Sequence, residues 1–141
     1  MALNHGGNPA PPNNPGIDGT NLTLSAASGA DSWVIPVTDN FTVSLEFTLS
    51  GGIAAGLTQM AFPYFVQYLF SGLGGAPDRT LTPAPAGLIA GQLVYGDPEN
   101  TVTVTAGTLP AGTYQLVATV TIPVFTAAAF VALPVLVIFQ P

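Results

Sequence analysis

Residues 41–49 read FTVSLEFTL, and apolar and polar side chains alternate strictly along this stretch. The odd-numbered side chains are expected to point inward, namely Phe41, Val43, Leu45, Phe47 and Leu49. The even-numbered ones, Thr42, Ser44, Glu46 and Thr48, are expected to point outward. A period of two is typical of a β-strand that has one face on a core. We therefore predict a strand here and build the fold outward from it.

Other strand signals lie on both sides of this stretch, separated by segments rich in Gly, Pro or Asn. The predicted strands cover residues 33–37, 65–70, 88–95, 101–105, 113–121, and 130–139 with a split at Pro134. Residues 53–60 are compatible with a helical turn or a wide loop. About seven short strands with turn signals between them predict an all-β protein, an antiparallel sandwich.

The chain contains very little charge. Arg79 is the only basic residue in 141, seven acids give a net charge of −6, and there is no cysteine. Only 6% of the residues are charged, against about 25% in typical soluble domains. This balance argues against nucleic acid and anionic lipid as partners, because both are bound through Lys and Arg. A surface with so few charged residues stays dispersed best when a partner protein or further copies of the chain cover it.

The segment from Leu116 to Phe139 is long and apolar enough to raise the question of a membrane span. Pro123 and Pro134 interrupt it, threonines punctuate it, and no Lys or Arg flanks it. Two strands joined near residues 123–128 explain the same residues better. We expect no membrane insertion.

Residues 1–30 differ from the rest in being rich in Asn, Gly, Pro, Ser and Ala. We predict an extended N-terminal arm over 1–30 and a β-sandwich domain over 31–141. Within the arm, Leu22, Leu24 and Ala26 alternate with polar residues. They predict a short strand that docks on a neighbouring subunit, although a tail with a chance alternation is an alternative.

A glycine-containing corner precedes the strand at 113–121, in the order Ala111-Gly112-Thr113-Tyr114. The stretch from Thr101 to Thr121 resembles strands E and F of bacterial immunoglobulin-like and fibronectin-like sandwich domains. The resemblance implies an immunoglobulin-like fold in which Tyr114 bonds back across the corner. The chain departs from that pattern in lacking a cysteine pair and in having Trp33 in its first strand. Tyr114 as an ordinary half-buried strand residue is the alternative.

Few residues point to catalysis. His5 is the only histidine and lies in the arm, and there is no lysine for a phosphate-binding motif. Asp97 and Glu99 are candidates for calcium ligands or for the carboxylate pair of a degradative enzyme. Their Asp-Pro-Glu-Asn context is more typical of a solvated turn. We predict no enzyme activity, no cofactor and no metal site.

The composition therefore favours a non-enzymatic structural subunit that assembles with copies of itself into a filament, coat or appendage. An extracellular or surface-exposed location suits such an assembly. The proposed assembly surface carries the aromatic residues of one strand: Tyr64, Phe65, Tyr68 and Phe70. The alternative function is an adhesive or ligand-binding module that uses loop 71–87 to hold a carbohydrate or a protein.

Overall fold

The computed structural model describes residues 16–26, 33–51, 56, 58–96, 98–125 and 127–141. Within these ranges the chain forms strands and two short 3₁₀ turns, at Thr58–Met60 and Pro123–Phe125. The strands are β1 (Gly16–Ala26), β2 (Val34–Pro36), β3 (Phe41–Ser50), β4 (Pro63–Leu73), β5 (Arg79–Leu81), β6 (Ala86–Gly87), β7 (Val94–Tyr95), β8 (Thr101–Val104), β9 (Gly112–Ile122) and β10 (Ala127–Phe139). The prediction of an all-β protein is confirmed.

The strands form two sheets, as expected for a β-sandwich. In the smaller sheet β3 pairs with β1 on one side and with β7 and β8, one after the other, on the other side. The larger sheet has the order β2-β10-β9-β4-β5, and β6 also pairs with β4. All pairs are antiparallel except β2 with β10, which are parallel.

The alternation in 41–49 is confirmed, since its odd-numbered side chains are all buried. The strand predicted over 88–95 is wrong, because only Val94 and Tyr95 are in a strand. A turn precedes them, in which the Gln92 N–H donates to the Ile89 carbonyl at 2.9 Å and Gly91 has a positive φ of 80°. Glycine adopts that conformation readily, so the chain turns where the apolar run suggested a strand.

The final strand is continuous from Ala127 to Phe139 and is not split at Pro134. Its register against β9 shifts between Leu133 and Leu136. Proline has no N–H for a ladder, and a bulge is one of the places where a strand tolerates it. The two-strand interpretation of the long apolar segment is confirmed, with a 3₁₀ turn at Pro123–Phe125 between β9 and β10.

Part of the predicted arm belongs to the sandwich. Residues 16–26 form β1, which pairs with β3 of the same chain. Leu22, Leu24 and Ala26 lie opposite Leu45, Val43 and Phe41, and all three are buried in the core of their own chain. The strand predicted from this alternation is confirmed. Its apolar side chains fill the core of their own chain and not a groove on a neighbouring subunit.

A buried polar network centred on Asn100 joins the two sheets. The Asn100 Nδ2 donates to the Leu45 carbonyl of β3 at 2.7 Å, and its Oδ1 accepts from the Tyr64 hydroxyl of β4 at 2.8 Å. The Tyr68 hydroxyl donates to the Asn100 carbonyl and accepts from the Leu45 N–H at 2.8 Å. Asn100 and Tyr68 therefore satisfy both main-chain groups of Leu45, and Tyr64 holds the Asn100 amide in place.

Aromatic packing surrounds this network. The ring of Phe47 lies edge-on to Tyr64 with 5.1 Å between centroids, and is stacked on Tyr95 at 5.3 Å. Tyr64 belongs to the larger sheet and the other two rings to the smaller one. The contacts therefore run across the interior, with geometries that aromatic pairs prefer.

Replacing Asn100 by Ala is expected to destabilise the protein strongly. It leaves the Leu45 carbonyl without its donor and the Tyr64 hydroxyl without its acceptor. Each unpaired buried group costs about 1–3 kcal/mol, so we expect a loss of about 2–6 kcal/mol in the free energy of unfolding, measured by urea denaturation. The control is Thr103→Ala on the exposed face of β8, expected to change stability by less than about 0.5 kcal/mol. Equal losses in the two variants would contradict the assignment.

Candidate functional site

The outer face of the larger sheet is the most unusual surface of the described structure. Along β9 the even-numbered side chains from Tyr114 to Ile122 are buried, so the odd-numbered ones face outward. Strand pairing aligns rows across this face, for example Gln67 of β4 beside Thr119 of β9, and Thr119 beside Phe130 of β10. No outward-facing residue that the structure describes on these three strands carries a charge.

This face also exposes large apolar side chains. Phe130 is 72% exposed and Phe65 is 50% exposed. The other large exposed apolar residues on the face are Val34, Leu73, Val135 and Phe139. Most of them lie on β10 and on β2 beside it, where Val34 is opposite Val137. We call the exposed residues of this side, Val34, Phe130, Val135 and Phe139, the β10 patch.

The outer face of the smaller sheet is different in kind, because it is lined with hydroxyl groups. Its aligned rows are Thr23, Ser44 and Thr101, and next to them Ser25, Thr42 and Thr103. Thr23 Oγ1 donates to the Ser44 carbonyl at 3.3 Å, and Thr42 Oγ1 donates to the Ser25 carbonyl at 3.4 Å. The sandwich therefore has one outer face lined with hydroxyl groups and one that exposes large apolar side chains.

The predicted assembly surface on one strand is divided between the two sides of β4. Tyr64, Tyr68 and Phe70 are buried in the core, and Phe65 alone of the four is exposed. Even-numbered residues of β4 point inward and odd-numbered ones outward. Three of the four aromatics therefore stabilise the subunit itself, and the exposed surface lies largely on β10.

A cavity of about 390 Å³ opens beside β4, where its pairing is interrupted. β5 pairs with residues 68–70 of β4 and β6 pairs with residues 63–64. The segment between them is Thr82-Pro83-Ala84-Pro85. Prolines have no N–H to donate to a ladder, so this segment leaves β4 and arches over the cavity. The arch lies within the predicted binding loop 71–87, which is not a loop throughout, because it contains the end of β4 and the short strands β5 and β6.

Polar and apolar side chains share the lining of this cavity. Polar ones come from Gln67, Thr119 and Thr121 on the sheet and from Glu99 and Asn100 on the facing turn. Phe65 and the two prolines of the arch add apolar surface. Of the predicted carboxylate pair, Glu99 lines the cavity, whereas Asp97, like His5, lies outside the described residues.

All four tyrosines of the chain have a raised pKa. Burial is the main cause for Tyr64, and the negative charge of Glu99 raises its pKa further. Burial raises the pKa of Tyr68 to about 12, although the hydrogen bond from the Leu45 main chain lowers it in part. Burial likewise raises the pKa of Tyr95 and of Tyr114. The hydroxyls therefore act as neutral donors at ordinary pH.

Tyr114 lies at the predicted corner. It is fully buried, and its hydroxyl donates to the Pro110 carbonyl at 2.6 Å. This bond closes the turn that leads from β8 into β9.

No known protein-family model matches the sequence, and no curated protein is similar enough to count as a match. Among the described residues, no three His, Cys, Asp or Glu side chains lie close enough together to hold a metal ion. The described residues also contain no helix that is long and apolar enough to cross a membrane.

Sequence reasoning missed the β10 patch and the cavity. The patch has a signal in the sequence: the β10 residues 128, 130 and 132 alternate with 129 and 131, and all five are apolar. A strand that is apolar on both sides has no polar face for water. The cavity has a weaker signal, the two prolines of 82–85, which become informative only once they lie at a sheet edge.

The raised tyrosine pKa values predict that stability falls at high pH. Below about pH 10, the ordinary tyrosine pKa, the hydroxyls are neutral in both states and contribute no pH dependence. Above it the unfolded chain loses these protons first, so the free energy of unfolding falls as pH rises toward the pKa of about 12 in Tyr68. Tyrosinate absorbance measured with and without urea checks this. Ionisation of the native protein at the pH of free tyrosine would contradict it.

Proposed function

We propose that this protein is a non-enzymatic structural subunit that associates with copies of itself through the outer face of its larger sheet. The observation that supports this most is the combination on that face of exposed apolar side chains and an absence of charge among the described residues. Exposed apolar patches of this extent usually mark interaction sites. A second copy presents the same uncharged surface, so no charge is left unpaired when the two faces meet.

The size of the face suits such a contact. Its three long strands, β4, β9 and β10, have 11, 11 and 13 residues, and β2 and β5 add three residues each at different levels of the sheet. At about 4.8 Å per strand and about 3.3 Å per residue, these residues cover roughly 650 Å². A stable interface buries about 600–1,000 Å² on each partner. The face is therefore large enough for a specific contact between two copies.

Electrostatics favours this face over the rest of the surface. With a net charge of −6, two subunits repel each other at long range. Contact through an uncharged sheet keeps the acidic residues away from the interface, and salt screens what repulsion is left. Association should therefore persist or strengthen as ionic strength increases.

The predicted docking of the N-terminal arm on a neighbouring subunit requires a rearrangement within the subunit, whereas contact through the larger sheet does not. Leu22, Leu24 and Ala26 are packed in their own chain, so β1 has to leave its sheet before it can reach a neighbour. A contact between two identical faces closes at a pair, and growth into a filament or coat needs a second contact. In our proposal, exchange of β1 between copies supplies it by forming the β1–β3 pairing between chains.

We also propose an immunoglobulin-like relationship for the sandwich. In that fold, strands A, B and E share one sheet and strands G, F and C the other, with C′ added in variable-type domains. The orders β1-β3-β8 and β10-β9-β4-β5 match those two series. The bond from Tyr114 at the start of β9 gives further support, since a tyrosine occupies this place in strand F.

Phe130→Lys is expected to disrupt self-association. It places a charge at the most exposed apolar residue of the β10 patch, where a second copy would have to bury it. The control is Thr103→Lys, which adds the same charge to the hydroxyl-lined face of the smaller sheet. We expect sedimentation velocity to show smaller species for Phe130→Lys and the wild-type distribution for Thr103→Lys.

Two outcomes would contradict the proposal. One is a wild-type protein that stays monomeric at all accessible concentrations and salt conditions. The other is a Phe130→Lys variant that assembles as the wild type does. Deletion of residues 1–30 is a poor substitute for these variants, because it removes β1 and with it part of the core.

A further inference from the structure

The cavity under the 82–85 arch is separate from the β10 patch. It is lined from β4, β9, the 82–85 arch and the facing turn, whereas the patch residues lie on β10 and β2. Its volume of about 390 Å³ falls within the range of about 300–1,000 Å³ that is typical of small-molecule sites. It is therefore large enough for a compact ligand.

The base of the cavity is firmly held. Asn100 is fully buried, and its amide is bonded to both sheets through Leu45 and Tyr64. Gln67, Thr119 and Thr121 extend from long paired strands. Side chains on rigid elements keep their positions when a ligand arrives, which reduces the entropic cost of binding.

The charge around the cavity excludes anionic ligands. Glu99 is its only acidic residue, and no basic residue lines it among those described. A phosphate or carboxylate ligand would meet one negative charge and no positive one. The ligand is therefore neutral or carries a positive charge.

The polar groups favour a ligand rich in hydroxyls. The amide of Gln67 and the hydroxyls of Thr119 and Thr121 both donate and accept hydrogen bonds, and the Glu99 carboxylate accepts them. A sugar hydroxyl does both as well. The half-exposed ring of Phe65 and the prolines of the arch add flat apolar surface on which a pyranose ring can lie.

We propose that this cavity binds a neutral pyranose sugar, with Phe65 under the ring and with Gln67, Thr119 and Glu99 on its hydroxyls. The side chains named for it lie on β4, β9 and the turn before β8, so binding does not need a second subunit. The inference does not rest on self-assembly.

Saturation-transfer NMR with four probes, glucose, galactose, mannose and N-acetylglucosamine, tests the proposal. At least one of them should receive saturation from the protein. Phe65→Ala and Gln67→Ala should each weaken its binding about tenfold, the loss expected for one stacking contact or hydrogen bond. Phe130→Ala is the matched control, because it removes the same kind of exposed ring from β10, outside the lining of the cavity.

Three results would overturn the proposal: no transfer to any of the four sugars, binding unchanged in both Phe65→Ala and Gln67→Ala, or an equal loss in Phe130→Ala. Gln67 is exposed, so its variant should fold even if Phe65→Ala does not. We expect Phe130→Lys not to self-associate. Repeating the NMR measurement on this variant therefore distinguishes a failure of sugar binding from a failure of self-assembly.

Discussion

The side chain of Asn100 occupies a gap in the smaller sheet, and the arrangement of the sandwich depends on the bonds it makes there. β3 pairs with β8 up to Ser44 and with β7 from Phe47, so Leu45 between them has no strand partner on that side. Asn100 and Tyr68 take the place of the missing strand. Because Tyr64 and Tyr68 belong to the larger sheet, the same bonds fix one sheet over the other.

The network has consequences on the outside of the molecule. With Tyr64 and Tyr68 held inward, the alternation of β4 points Phe65 and Gln67 outward, toward the face and the cavity. The turn that positions Asn100 also positions Glu99 at the cavity. The uncharged C-terminal part of the chain, from Asn100 onward, supplies β8, β9 and β10. The low charge of the sequence is therefore concentrated in β9 and β10, where it leaves the outer face of the larger sheet uncharged.

The alternation of apolar and polar residues predicted the strands well where one side of the strand is buried and the other is exposed to solvent, as in residues 41–49. The prediction failed at 88–95, where an apolar run ends in a turn at Gly91. The sequence also did not predict which sheet β1 joins, because an alternating strand fits the sheet of its own chain and that of a neighbouring subunit equally well. The cavity depends on the registers of β5 and β6 against β4, which involve residues far apart in the sequence. Periodicity carries no information about such pairings.

Hydroxyl-radical footprinting at increasing protein concentration tests most directly whether a second copy covers the larger sheet. The radicals oxidise exposed side chains, and Phe130 in the β10 patch is among the most exposed. Met60, which is 61% exposed in the 3₁₀ turn before β4, is the internal reference. We predict that oxidation of Phe130 falls relative to that of Met60 as the protein associates. A constant ratio across the concentrations at which larger species form would contradict the account.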